Sequence, residues 1–455
     1  MDGRTIAAAL LFTGAMAAQG VEAKTLEDVL KEKGVITEED YKEVTKSKPV
    51  NFKVGNGISL TSPDEKFQLN IGGQIQTRYS YLDKDNDNDS SSGSAQNTSR
   101  FEIKRAKLLL GGYAFTKDVT YKLDMNFINI SSGTTKNGGL LESVWLNYRL
   151  MDEVQFRFGQ NKVQFGRQWI TSTANNQFVD SSPVTTAFAP GYDTGIEIHG
   201  KVAKGLFAYS LGGYGGVGQN TFRSTSDNAF NVRLALNPLG EMAYSEADLE
   251  NSEKPLLSIG ANYYFNTLSG TTGSGTSGLE SNNVNFAKTI SSSDPLSAPG
   301  WFGMGNSSGV ITTAAQRINN VKESVDFHTA GFDAAFKWHG LSLQGEYMFG
   351  QADGSKSNNT VRAHGYYAQA GYFVIPKHLE LAARYSYIDP NRDVSNDLWV
   401  ETTGAVSWYF IGHNLKVQAD FSNIHRQGRI SSNDPPATAS TVDDKLVRLQ
   451  AQLFF

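Results

Sequence analysis

Strict alternation of apolar and polar residues recurs along most of this chain, and it limits the possible folds more than any other feature. In Phe67–Tyr81 the odd positions are Phe67, Leu69, Ile71, Gly73, Ile75, Thr77, Tyr79 and Tyr81, whereas the even ones are Gln68, Asn70, Gly72, Gln74, Gln76, Arg78 and Ser80. The same pattern runs through Val119–Phe127, Leu379–Tyr387, Leu415–Ser422 and Val447–Phe455. A period of two is that of a strand with one apolar and one polar face. The runs reach the length of about 9–11 residues that a tilted strand needs to cross a membrane.

Connections between the runs alternate in length. Short ones fall at Lys117-Asp118, Met151–Glu153, Val202–Gly205, His339-Gly340, Pro376–His378 and Ile411–Asn414. Long ones cover 83–99, 131–139, 168–191, 215–229, 267–324, 351–360, 389–397 and 427–444. Short turns on one side and long loops on the other mark an outer-membrane barrel. One short-side connection, 239–254, is long. Counting between connections predicts sixteen strands, with both ends on the periplasmic side.

The polar faces carry Arg78, Lys122, Asp124, Arg149, Arg157, Glu197, Arg233, Glu346, Arg384, Glu401, Asp420 and Arg448. Burying such charges in a dry core would cost several kcal/mol each, so they must border water. The apolar faces then meet lipid, and closure leaves no unpaired edge in hydrocarbon. The expected fold is all-β: a sixteen-stranded antiparallel transmembrane β-barrel with a short N-terminal helical leader. Aromatics near strand ends (Tyr79, Tyr81, Phe265, Trp338, Tyr347, Phe349, Tyr385, Tyr387, Trp408, Phe410) suit interfacial girdles, and the chain ends on an aromatic, Phe455.

Other features bound the function. No cysteine occurs in the 455 residues, which removes disulfides, thiolate metal sites and cysteine nucleophiles. A net charge of -5 gives no basic footprint for nucleic acid. The longest apolar run, Ile6–Ala18, is shorter than the roughly 20 residues of a spanning helix. With Arg4 before it and Val21-Glu22-Ala23 after it, residues 1–23 read as an export signal. Residues 24–49 are expected to form a periplasmic helical segment. A first turn starts at Thr25 and ends at Gly34, and Thr37-Glu38-Glu39-Asp40 opens a second helix that Pro49 stops. Residues 50–65 read as a linker and 66–455 as the barrel, placed in the bacterial outer membrane.

Sixteen strands leave an aqueous channel unless a segment fills it. The connection after the fifth strand, Gln168–Pro190, is more apolar than an outer loop in water requires. It is expected to fold into the lumen as a constriction, with Trp169, Phe178, Asp180 and Phe188 as its marked residues. Selectivity candidates are Arg78, Arg105, Lys107, Lys122, Arg149, Arg157, Arg233 and Arg384, which would favour anions in a confined passage. Asp124, Glu197, Asp333, Glu346, Glu380, Glu401 and Asp420 offset them, and pattern alone leaves the balance open.

Three segments, TLEDVLKEKGVITEEDYKEV, RFEIKRAKLLLGGYAF and FGRQWITSTANNQFVDSSPVTTAFAPGYDTGIEIHG, resemble the phosphate-selective porin O and P family. The resemblance covers the chain from about residue 25 to its end. It implies a sixteen-stranded, homotrimeric outer-membrane porin whose third outer loop folds inward, with anion selection by basic lumen and loop residues. By motif position Arg105, Lys107 and Arg167 carry over. No Lys or Arg lies between Arg167 and Lys201, which points to a general or weakly anion-selective pore.

Other motifs lead elsewhere. Asp83–Asp89 alternates acids like a calcium loop but lacks the sixth-position glycine and the closing glutamate. Gly212–Gly218 has dinucleotide-like glycine spacing, yet no helix pattern follows. No metal or other cofactor is expected. His339, His378 and His413 fall at turns and read as solvated. The reading is therefore passive diffusion of small hydrophilic or anionic solutes. The alternatives are a sheath for a partner such as an electron-transfer cytochrome, and a barrel enzyme, for which no catalytic cluster is visible.

Overall fold

The structure, a computed structural model, describes residues 30–45, 50–53, 57–85, 97–131, 134–135, 140–223, 225–269, 284–287, 300–302, 304, 324–355, 360–427 and 441–455. The expected export signal, the start of the leader and most of the acidic 83–94 stretch lie outside the described residues. Two units separate, residues 1–51 and 52–455.

In the first unit, helix α1 spans Glu38–Thr45. Thr37 and Asp40 cap it reciprocally: the Asp40 amide donates to Thr37 Oγ1 at 3.1 Å, and the Thr37 amide donates to Asp40 Oδ2 at 2.9 Å. Hydrogen bonds from the Thr37 hydroxyl and then its amide hold the Asp40 carboxyl below its ordinary value.

The second unit is a barrel of sixteen strands. They are β1 Phe67–Asp83, β2 Thr98–Ala114, β3 Thr116–Asn126, β4 Leu141–Met151, β5 Val154–Lys162, β6 Tyr192–Val202, β7 Phe207–Tyr214 and β8 Ala229–Leu236. There follow β9 Leu256–Leu268, β10 Val325–Trp338, β11 Leu341–Gly354, β12 Thr360–Ile375, β13 Leu379–Asp389, β14 Trp399–Ile411, β15 Leu415–Arg426 and β16 Val442–Phe454. Each pairs antiparallel with its sequence neighbours. β16 returns to β1, from Lys445 opposite Asp83 to Phe454 opposite Gln74, which closes the ring. A short strand, Gly57–Thr61, pairs with the start of β1.

Closure runs to the last residue. The Phe455 amide donates to the Gly73 carbonyl at 3.0 Å, and the Gly73 amide donates to the Phe455 carbonyl at 2.8 Å. A Cβ on Gly72 would lie 2.6 Å from the Phe455 carbonyl oxygen, so this approach requires glycine.

The predicted alternation sorts the two faces. On β11, Ser342, Gln344 and Glu346 are buried inward while Leu343 and Tyr347 are exposed outward. The aromatics form two bands on the outside. Tyr347, Tyr366 and Tyr387 are paired across strands at one level, and Trp338, Tyr372, Trp408 and Phe410 lie towards the short turns. Among the described residues no helix is long and apolar enough to cross a membrane; the crossing elements are strands.

Two bulges modify the inner wall. Gln76 faces Arg105 and Thr77 faces Ile103, which leaves Lys104 without an opposite residue. Asp124 faces Ser143 and Met125 faces Leu141, which leaves Glu142 likewise. An extra residue in one strand shifts the phase of alternation. Glu102, Lys104, Arg105 and Lys107 are thereby all directed to the lumen, while Phe101, Ile103 and Ala106 face out.

Candidate permeation site

The connection 163–191 carries α2 (Arg167–Ile170), a single turn at Thr173–Asn175 and α3 (Pro183–Phe188). Ser182 caps α3, accepting from the Val184 amide, and Pro183 fits the first turn, where no amide donor is needed. Gly166 has φ 49°, and a Cβ there would lie 2.7 Å from Glu346 Oε2. The chain thus turns inward tightly against the far wall.

Wall carboxylates and glutamines hold this loop. Glu346 Oε1 accepts from the Gln168 amide at 2.5 Å, Asp420 Oδ2 from the Val179 amide at 3.2 Å, and Glu380 Oε1 from Gln177 Nε2 at 2.5 Å. Lys416 Nζ donates to the Asn176 carbonyl at 2.6 Å. Ser182 Oγ meets Ser386 Oγ at 3.1 Å. These partners belong to β11, β13 and β15, so one side of the lumen is filled by the loop.

Towards the outer mouth the filling is apolar. Phe188 stacks on Trp301 with centroids 6.1 Å apart, in a cluster with Phe165, Phe286 and Phe327. Phe178 lies beneath the Arg384 guanidinium at 4.5 Å. Phe178 and Phe188 are wholly buried. Expected as marked residues of the constriction, they anchor the loop rather than face the passage, because apolar rings find wall partners there. Trp169 is half-buried, edge-on to Tyr192 at 5.8 Å, with Lys162 Nζ 5.0 Å from its ring.

Asp180 lies on the opposite side of the loop and gathers cations. Its Oδ2 is 2.5 Å from Arg78 Nη1 and 3.3 Å from Arg448 Nη1, and its Oδ1 is 4.0 Å from Arg105 Nη1. Lys104 also interacts with it electrostatically. Arg384 donates to the Asp180 carbonyl at 2.9 Å, and Arg78 to the Val179 carbonyl at 3.0 Å.

The other basic residues read from the sequence divide into three groups. Lys107, paired with Glu142 at 2.5 Å, Lys122, paired with Asp124 at 2.7 Å, and Arg157, paired with Glu197 at 3.2 Å, stand on the β2–β5 wall, away from the β11, β13 and β15 partners of the loop. Arg233 is sealed in a two-bonded pair with Asp333, at 2.7 and 3.1 Å. Arg167 is 1 % exposed and donates to the Ala243 carbonyl and Ser258 Oγ, so it faces protein rather than water. Arg149 sits at the short-turn rim with Asp118 and Asp152. Arg384 is enclosed like Arg233 and Arg167, beside Glu401.

Four participants lie outside the site residues read from sequence: Lys104, Lys162 and Glu246, and Arg448, which was read only as a polar-face charge. Lys162 Nζ donates to the Trp169 and Thr171 carbonyls at 2.7 and 3.0 Å. Lys104 and Arg448 carry a legible signal, since each occupies a polar position in an alternating run. Glu246 carries none, because it lies in a connection without period. His413, expected as solvated, bonds to Ser245 Oγ at 3.0 Å.

The family model for phosphate-selective porin O and P matches residues 69–254 and 306–455. The chain belongs to this family. Porin O of Pseudomonas aeruginosa is 21 % identical over 379 residues, covering 81 % of this chain and 77 % of that one. Among solved structures, the anion-selective porin from Comamonas acidovorans superposes with a TM-score of 0.52 at 9 % identity, covering 85 % of this chain and 99 % of the other. OmpT of Vibrio cholerae in its trimer form gives 0.50 at 10 % identity, covering 85 % and 99 %. As a member of the porin O and P family with a closed sixteen-stranded barrel, the protein is a porin of the outer membrane.

Proposed function

We propose that this porin passes small hydrophilic solutes by diffusion with a modest preference for anions. The observation that carries the reading is the unequal exposure of lumen charges. Glu197, Asp333, Glu346, Glu380 and Asp420, which in sequence offset the cations, are each at most 3 % exposed, and Arg78, Arg233, Arg384 and Lys416 are buried with them at 4 % or less, so the groups left exposed decide the balance. On the β2–β5 wall Lys122 keeps 43 % of its side chain exposed and Arg105 and Arg157 keep 18 % each, against 23 % for Glu102 there and 26 % for Asp180 of the loop. A confined passage lined by cations raises the local concentration of anions.

The pairing of most cations with carboxylates supports weak selection over a tight phosphate site. The trimer form of the Vibrio OmpT neighbour supports a homotrimer. The pattern of residues 1–23 supports export through a cleaved signal. A loop crossing the lumen weighs against a sheath around another protein.

Purified protein in a planar lipid bilayer tests the reading. Step-like conductance with a reversal potential on the chloride side in a potassium chloride gradient is expected. A cation-side potential overturns the anion preference, and a silent barrel overturns diffusion itself.

A further inference from the structure

The connection between β8 and β9 lies on the short-turn side, yet it runs over 237–255. A turn there needs about two to five residues. The extra chain crosses the mouth of the barrel. At one end Asn237 Nδ2 donates to the Gly205 carbonyl at 2.8 Å, beside the β6–β7 turn. Further along, Ala247 packs on the inward rings of Phe373 and Tyr409, and Lys337 Nζ donates to its carbonyl at 2.8 Å. Asp248 Oδ2 accepts from the Gly340 amide at 2.8 Å. Ser245 reaches His413 in the β14–β15 turn.

In the middle this chain meets the inward loop from below. Glu246 Oε1 accepts from Gln168 Nε2 at 2.6 Å, and Oε2 accepts from the Gln177 amide at 2.7 Å. The Glu246 amide donates to the Asn175 carbonyl at 3.2 Å, and Asn175 Nδ2 returns a bond to the Tyr244 carbonyl at 3.2 Å. The Arg167 guanidinium lies 4.8 Å from the Tyr244 ring. Hydrogen bonds to an ionised carboxylate are roughly twice as strong as neutral ones, and a buried donor that loses its acceptor bears the full cost of desolvation. Glu246, 3 % exposed, therefore fixes two points of the loop nine residues apart.

We propose that 237–255 is a second constriction element, entering from the mouth opposite to the loop, and that Glu246 is the positioning residue that locks the two together. Between them they occupy the side of the lumen under β9–β15. The solute path is left to the wall of β2–β5, where Lys104, Arg105, Lys107, Lys122 and Arg157 stand. The proposal rests on the porin reading, and its tests separate the two.

Single-channel recording of Glu246→Ala, in barrels shown intact by heat-modifiable migration, should give a conductance about 1.5-fold that of the unaltered protein, with greater open-channel noise. Glu246→Gln, which keeps one acceptor, should fall between. Glu241→Gln, in the same connection but exposed and paired with Lys201, should match the unaltered protein. Equal conductance and noise for Glu246→Ala and the unaltered barrel would overturn the role of Glu246. A second measurement needs no current. Because the chain has no cysteine, Asn175→Cys with Tyr244→Cys offers a unique pair to a short bismaleimide. A cross-linked peptide found by mass spectrometry supports the contact between the segments, and its absence overturns it. If the unaltered protein is silent in bilayers, the porin reading fails while the cross-link still judges the contact.

Discussion

Asp180 Oδ2 lies 2.5 Å from Arg78 Nη1, so the acidic residue on the open side of the inward loop is bound to the first strand of the barrel. Arg448 of the last strand shares the same oxygen at 3.3 Å. The loop carboxylate therefore bridges the seam where β16 and β1 meet, and it neutralises cations that a passing anion would otherwise meet. Asp180→Asn keeps the shape and removes the charge. The anion-to-cation permeability ratio should rise by about twofold, read from the reversal potential in a salt gradient. An unchanged ratio would show that the passage lies out of reach of this cluster.

The bulge opposite Gln76 makes a complementary prediction. Lys104, Arg105 and Lys107 all line the lumen, so replacing the three by Gln should lower the same permeability ratio by about twofold or more. Lys104→Gln alone should contribute measurably. If it has no effect while Arg105→Gln and Lys107→Gln do, the bulge does not present Lys104 to the solute.

Arg233 and Asp333 were read on opposite sides of the charge balance, yet they are sealed against each other at 2.7 Å. Arg233→Ala leaves a buried carboxylate without its partner, which costs about 3–5 kcal/mol. Urea unfolding of the refolded barrel should show the loss. Surviving channels should keep their reversal potential, since neither group faces the passage. A shifted potential with unaltered stability would return Arg233 to the pore wall.

Gly72 faces the Phe455 carbonyl too closely for a side chain. Gly72→Val should destabilise the seam by about 1–3 kcal/mol through the forced backbone shift, seen as a lower urea midpoint. Retention of the midpoint would mean that the terminal pairing contributes little.

The barrel was legible because lipid and water impose opposite demands on successive residues, and runs such as Leu379–Tyr387 record both. A phase shift in that record went unread: in Arg100–Leu110 the apolar positions change from odd to even at Lys104-Arg105, which is where the structure places the bulge. The apolar content of 168–190 marked a segment unsuited to an aqueous loop. The roles of its residues were less accessible. Phe178 and Phe188 serve as anchors, and Arg167 is enclosed, because their partners come from strands and loops far along the chain. Glu246 was invisible for the same reason, since a single carboxylate in an irregular connection becomes a strut only when two distant segments meet on it.

The hydrogen bonds between Phe455 and Gly73 carry the β16–β1 seam one pair beyond Phe454. Without them two amides and two carbonyls at the rim would have to find water instead, while the pairing from Lys445 to Phe454 still holds the cylinder shut.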